Sequence, residues 1–225
     1  MPASPYLSPN FYADALARGR HRDIVGGRWN ETGRAQMAIL QAAGLQPHHH
    51  LLDIGCGPLR LGHIAVPFLD PGHYWGTDAS AALMQRGHDV ELADKTRLPQ
   101  AQLIEDSSFA LPGVPDRVTH AIAFAVFTHL PAATLRPALT GIRARLPHLK
   151  KLLLTVFLAP DATTGPHRQP DGVVTHPDRP PYHRAAAAVQ ADATAAGFSL
   201  IWQDTLLPRG QKLCHLTPSE TLKKG

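Results

Sequence analysis

The stretch Leu51-Leu52-Asp53-Ile54-Gly55-Cys56-Gly57-Pro58 places an apolar run directly before two glycines spaced by one residue. Glycines in such a turn let the backbone approach a ligand closely. A helix opening after them offers free N–H groups to negative charge. Carboxylates recur at the ends of the next apolar runs, Asp78 after Tyr74-Trp75-Gly76-Thr77 and Asp106 after Leu103-Ile104-Glu105. Asp53 and Asp78 fall where a ribosyl ligand would lie across strand ends, while Glu105 and Asp106 compete as the acid after the next run. Arg60 stands in the first turn after the loop and could pair with an anionic group there. A dinucleotide fold requires a third glycine at the position Arg60 occupies, so the pattern speaks against NAD or FAD. Cys56, flanked by the glycines, is explained by backbone geometry without a nucleophilic role. Of the 14 histidines, the adjacent His48, His49 and His50 point in different directions. No second half-site has zinc-like spacing, so no metal is expected.

These residues need a scaffold that brings strand ends together. The chain has 225 residues, 44% hydrophobic and 18% charged, which suits one globular domain with a full core. Apolar runs alternate with helical periodicity, the pattern of a mostly parallel sheet covered on both faces. The expected strands are residues 50–54, 73–77, 101–105, 117–124, 151–158, 198–204 and 211–217. The expected helices are residues 31–43, 60–69, 79–91, 132–146 and 184–196. Gly44 and Gly197 suit helix C-termini, and Asn30 and Asp78 suit N-caps. Residues 205–210 are too short for a parallel crossover, so the last strand must run antiparallel. The expected fold is therefore α/β and doubly wound, with a seven-stranded sheet whose last strand is reversed. Residues 1–30 read as an N-terminal cap segment before a main domain at 31–225. The proline-rich residues 160–183 read as a lid-like loop.

The glycine stretch extended to LLDIGCGPLRLG resembles motif I of the class I S-adenosylmethionine (SAM)-dependent methyltransferases. Residues 116–131, ending in Val126-Phe127-Thr128-His129-Leu130-Pro131, resemble the fourth-strand motif of one bacterial subgroup. Val25-Gly26-Gly27-Arg28-Trp29, Pro181-Tyr182-His183 and Pro208-Arg209-Gly210-Gln211-Lys212 resemble its terminal signatures. The resemblance spans about residues 24–217. It departs at Leu59, where relatives carry a third loop glycine, and at Ala125, where the subgroup often has a small hydroxyl residue.

The resemblance implies a Rossmann-like three-layer sandwich and SAM as cofactor. It implies cofactor contacts from Asp53, Gly55, Gly57, Arg60, Asp78, Asp106 and Ala125. Among these, Asp78 takes the ribose and Asp106 the adenine amino group. His129 follows the fourth strand and is the candidate general base. Tyr182, His183 and Trp29 are candidate acceptor-pocket residues, each with a packing role as its alternative. The reaction implied is methyl transfer to an oxygen, nitrogen or carbon nucleophile, on a small molecule.

Residues 123–126 lack the Asn/Asp-Pro-Pro-aromatic box of base methyltransferases, and the basic residues form no stripe. Nucleic acid is therefore not the expected partner. The longest apolar runs fall short of a bilayer span, Met1 to Pro5 lack secretory features, and two cysteines make no disulfide framework. A soluble, cytoplasmic protein is the expectation. The rival readings are a non-catalytic scaffold with the same fold and, with less support, a nicotinamide oxidoreductase.

Overall fold

A computed structural model describes residues 11–205 and 207–219. Residues 1–10 of the expected cap segment and 220–225 of the expected main domain lie outside the described residues. Seven strands make the central sheet: β1 (Leu51–Ile54), β2 (Tyr74–Asp78), β3 (Leu103–Glu105), β4 (His120–Ala123), β5 (Lys151–Leu158), β6 (Phe198–Gln203) and β7 (Lys212–Pro218). Their order is β3-β2-β1-β4-β5-β7-β6. The pairs from β3 through β5 are parallel, and β7 runs antiparallel to both β5 and β6. This is the expected doubly wound sheet with its last strand reversed.

The strands alternate their apolar residues between two cores, as the period-2 geometry of a strand requires. Leu52, Leu152 and Leu154 pack on one face with helices α6 (Leu135–Arg145) and α7 (Ala186–Ala195). Leu51, Ile122 and Leu153 pack on the other with α3 (Trp29–Ala42), α4 (Gly62–Phe68) and α5 (Ala81–Glu91). Both faces are covered, which is why β5 reads as an unbroken apolar run. Two short helices, α1 (Ala13–Ala17) and α2 (His21–Ile24), precede α3. The side chains of His21 and Arg22 both bond the Glu91 carboxylate at the end of α5, at 2.6 Å in the closest approaches.

Four boundaries differ from expectation. Asn30 lies inside α3, whose preceding residue is Arg28. Ser80, not Asp78, caps α5, its hydroxyl accepting the Leu83 N–H at 3.2 Å. The strand expected over 117–124 is confined to His120–Ala123, its C-terminal end set by the turn at Ala125, where φ is +60°. Arg184 does not start a helix. With His183 it forms a short strand parallel to the end of β5, pairing with Leu158. Its guanidinium is spent on the carbonyls of Phe127, Leu130 and Pro131, which hold it against the sheet.

Candidate active site

Strand order reverses between β1 and β4, and the loops leaving these strands diverge at their C-terminal ends. An open α/β sheet binds ligands in such a crevice. A cavity of about 370 Å³ lies there, walled by Gly55, Gly57, Arg60, Asp78, Asp106, Ala125 and His129 among others.

The glycine loop is shaped by contact with the loop after β4. Gly55 has φ +71°, and a Cβ there would sit 2.5 Å from Cγ2 of Val126. Only glycine fits so close an approach at such a backbone angle. Leu59, at the third loop position, takes φ +64° with its side chain fully buried. The leucine thus serves the turn from inside the core. Beneath the loop, Gly87 of α5 faces the Pro58 backbone, and a Cβ would come within 2.4 Å of it.

Asp78 ends β2 and accepts the N–H groups of Gly57 at 2.9 Å and Ser80 at 3.0 Å. Burial raises its carboxyl to about 6 against those bonds. Asp106 follows β3. Burial draws its carboxyl upward, but bonds from the N–H groups of Leu111 and Ser108 and from the Ser108 hydroxyl hold it below the ordinary range. Arg60 donates through Nη1 to the Val25 carbonyl at 2.9 Å, while its buried Nε has no partner. Burial lowers this guanidinium to about 10, with Asp53 raising it and Arg209 lowering it. Ala125 donates its N–H to the Thr155 hydroxyl at 2.8 Å, and that hydroxyl in turn donates to Gln211. Burial, with the Arg209 charge adding to it, lowers His129 to about 4, so its imidazole is neutral near pH 7.

Other sequence candidates stand off the wall. Asp53 is 2% exposed and lies behind the glycine loop, accepting the Tyr74 hydroxyl at 2.7 Å. Trp29 is buried, stacked on His63 at 5.5 Å and with the Arg22 guanidinium 5.1 Å from its ring centre. Tyr182 and His183 are also buried; Thr175 meets Nδ1 of His183 at 2.9 Å. The structure brings Gly55, Gly57, Arg60, Asp78, Asp106, Ala125 and His129 to one cavity and leaves Asp53, Trp29, Tyr182 and His183 outside its lining.

Several wall residues were not singled out by sequence as site residues. Tyr12 and residues 23–26 enter from the N-terminal segment, Val173 and Pro181 from the proline-rich stretch, and Arg209 and Gln211 from the β6–β7 connection. The glycine–proline signatures at 25–29 and 208–212 were the available signal. Nothing in their composition told that both reach the same cavity. Among the described residues no group of three His, Cys, Asp or Glu side chains converges as a metal site. Nor is any helix of these residues long and apolar enough to cross a membrane.

No protein-family profile and no curated protein matches the chain. Solved structures do match in fold. Magnesium protoporphyrin IX methyltransferase (ChlM) from Synechocystis PCC 6803 with bound S-adenosylhomocysteine (SAH) has a TM-score of 0.61 at 16% identity, covering 92% of this chain and 96% of its own. CalS10, an amino pentose methyltransferase from Micromonospora echinaspora solved with SAM, gives 0.58 at 19% identity, covering 92% and 96%. The sugar N-methyltransferase KedS8 from Streptoalloteichus gives 0.60 at 16%, covering 92% and 93%. At these identities the likeness shows a common fold.

Proposed function

We propose that the chain is a SAM-dependent methyltransferase that moves a methyl group to an oxygen, nitrogen or carbon nucleophile of a small molecule. The observation that carries this reading is the cavity at the β1/β4 reversal, where a glycine loop, two strand-end carboxylates and a buried guanidinium with an unpartnered Nε meet. The structural neighbours solved with SAM or SAH support the same choice of cofactor.

SAM supplies an electrophilic methyl group on a sulfonium. The chain's own residues bind and orient around it. In this reading Gly55 and Gly57 allow the close backbone approach, Asp78 accepts from the ribose hydroxyls, and Asp106 faces the adenine. Arg60 is suited to the methionyl carboxylate, since an anion there gives its orphaned Nε a partner in a dry site. Neutral His129, on the loop after β4, is the candidate to take a proton from the acceptor. Residues 11–30 and 160–183 act as the cover that excludes water and aligns acceptor with cofactor.

Incubation with SAM labelled in its methyl group, together with a pool of small hydroxyl, amine and carbon acids, tests the reading. Label moving into a small-molecule product, and falling at least about tenfold in His129→Ala, is the expected outcome. Label that stays on SAM with every acceptor class argues for the scaffold alternative.

A further inference from the structure

The signature Pro208-Arg209-Gly210-Gln211 has no part in the cofactor assignments above, yet Pro208, Arg209 and Gln211 all line the cavity. Gln211 receives the Thr155 hydroxyl bond that also fixes the Ala125 turn, so this connection is built into the wall. Arg209 takes a left-handed backbone, φ +66° and ψ 17°, which costs a non-glycine residue energy. That conformation brings its Nη2 to the Gly26 carbonyl at 2.7 Å, at the meeting of the N-terminal segment and the cavity. The guanidinium is also close enough to Arg60 and His129 for its charge to be felt by both.

We propose that this connection is the acceptor-recognition element and that it selects a small apolar molecule bearing a carboxylate, with the Arg209 guanidinium as the carboxylate's partner. The proposal rests on the methyltransferase reading above and gives it a substrate class. Arg209 is exposed at the edge of the cavity, whose lining also includes the apolar residues Leu130, Phe157, Val173, Pro181 and Pro208. A guanidinium matches the two oxygens of a carboxylate, and the apolar lining residues suit the rest of such a molecule.

The wall's carboxylates are already engaged to different degrees. Among the described residues, the carboxylates of the wall are Asp23, Asp78 and Asp106. Asp23 is paired with Arg20 at 2.9 Å, and the other two accept backbone N–H groups at the tips of β2 and β3. An anion at Arg209 also offsets one of the two influences that hold His129 below its ordinary pKa.

The test is binding to the SAH-loaded protein of three probes on one ring: 4-hydroxyphenylacetate, its amide, and tyramine. Dissociation constants come from saturation-transfer NMR, for wild type, Arg209→Gln and Arg209→Lys. The acid is expected to bind wild type about tenfold more tightly than the amide or the amine. Arg209→Gln, which removes the charge and keeps a polar side chain, should level acid and amide, while Arg209→Lys keeps part of the preference. Both variants should still bind SAH, which shows that the cavity remains formed. An acid that binds no better than its amide, or not at all, overturns the proposal, as does a preference that survives Arg209→Gln. Wild type that binds no SAH overturns the methyltransferase reading itself and this one with it.

Discussion

Burial raises the Asp53 carboxyl to about 7, with the Tyr74 hydroxyl and the Arg60 charge pulling the other way. An unfolded aspartate titrates near 4, so the folded chain holds an extra proton between about pH 4 and 7. The stability this provides is complete below the unfolded pKa and is lost as pH rises through the folded one. The depressed histidines His50, His120 and His129, at about 4, act in the opposite sense, with stability gained as pH rises toward 6.5. Comparing wild type with Asp53→Asn cancels the histidines and isolates the carboxyl. Asparagine still accepts from Tyr74, so the variant should gain about 3–4 kcal/mol on wild type as urea unfolding is moved from pH 4 to pH 8. A difference independent of pH contradicts the assignment. The residue types at Asp53, Asp78 and Asp106 were legible in sequence as strand-end acids. That Asp53 lies behind the loop was not, because its neighbour Tyr74 comes from another strand and only the fold pairs them.

The loop after β4 carries Ala125 and His129, and its shape depends on an element the sequence concealed. Buried Arg184 bonds three carbonyls of that loop from a two-residue strand beside β5. Burial lowers the guanidinium to about 10, with Asp192 as the leading opposing influence. Helical periodicity beginning near this residue invited a helix start. The carbonyls of the neighbouring loop overrode it, a tertiary effect no local pattern encodes. Arg184→Met removes the charge and leaves those carbonyls without their donor, so unfolding free energy should fall by roughly 3 kcal/mol. SAH affinity should fall with it, since the loop that carries Ala125 loses the donor to its carbonyls. Unfolding at wild-type denaturant concentration would show that the loop holds itself. The long strands and the helices at 29–42, 81–91 and 135–145 were readable because burial on one or both faces writes a period into the sequence. The two-residue strands are too short to write one.

Across the whole molecule, alternation of side chains along β1, β4 and β5 divides the apolar residues between two cores, and the cores place helices on both faces. The parallel order and the reversed final strand follow from that layering and from one short connection, so the fold class was legible from pattern alone. The composition of the cavity was legible by half. Its floor belongs to the strand-end loops, where motif and position coincide. Its roof comes from residues 12–26, 173–181 and 208–211, distant in sequence and joined by long-range bonds such as Arg209 to Gly26 and Arg60 to Val25. The central claim is that this cavity binds SAM through Asp78. A calorimetric titration with SAH, on wild type and on folded Asp78→Ala, tests it most directly. Micromolar binding by wild type, weakened at least about tenfold in the variant, is the predicted result. A folded wild type that gives no heat, or a variant that binds as tightly, contradicts it.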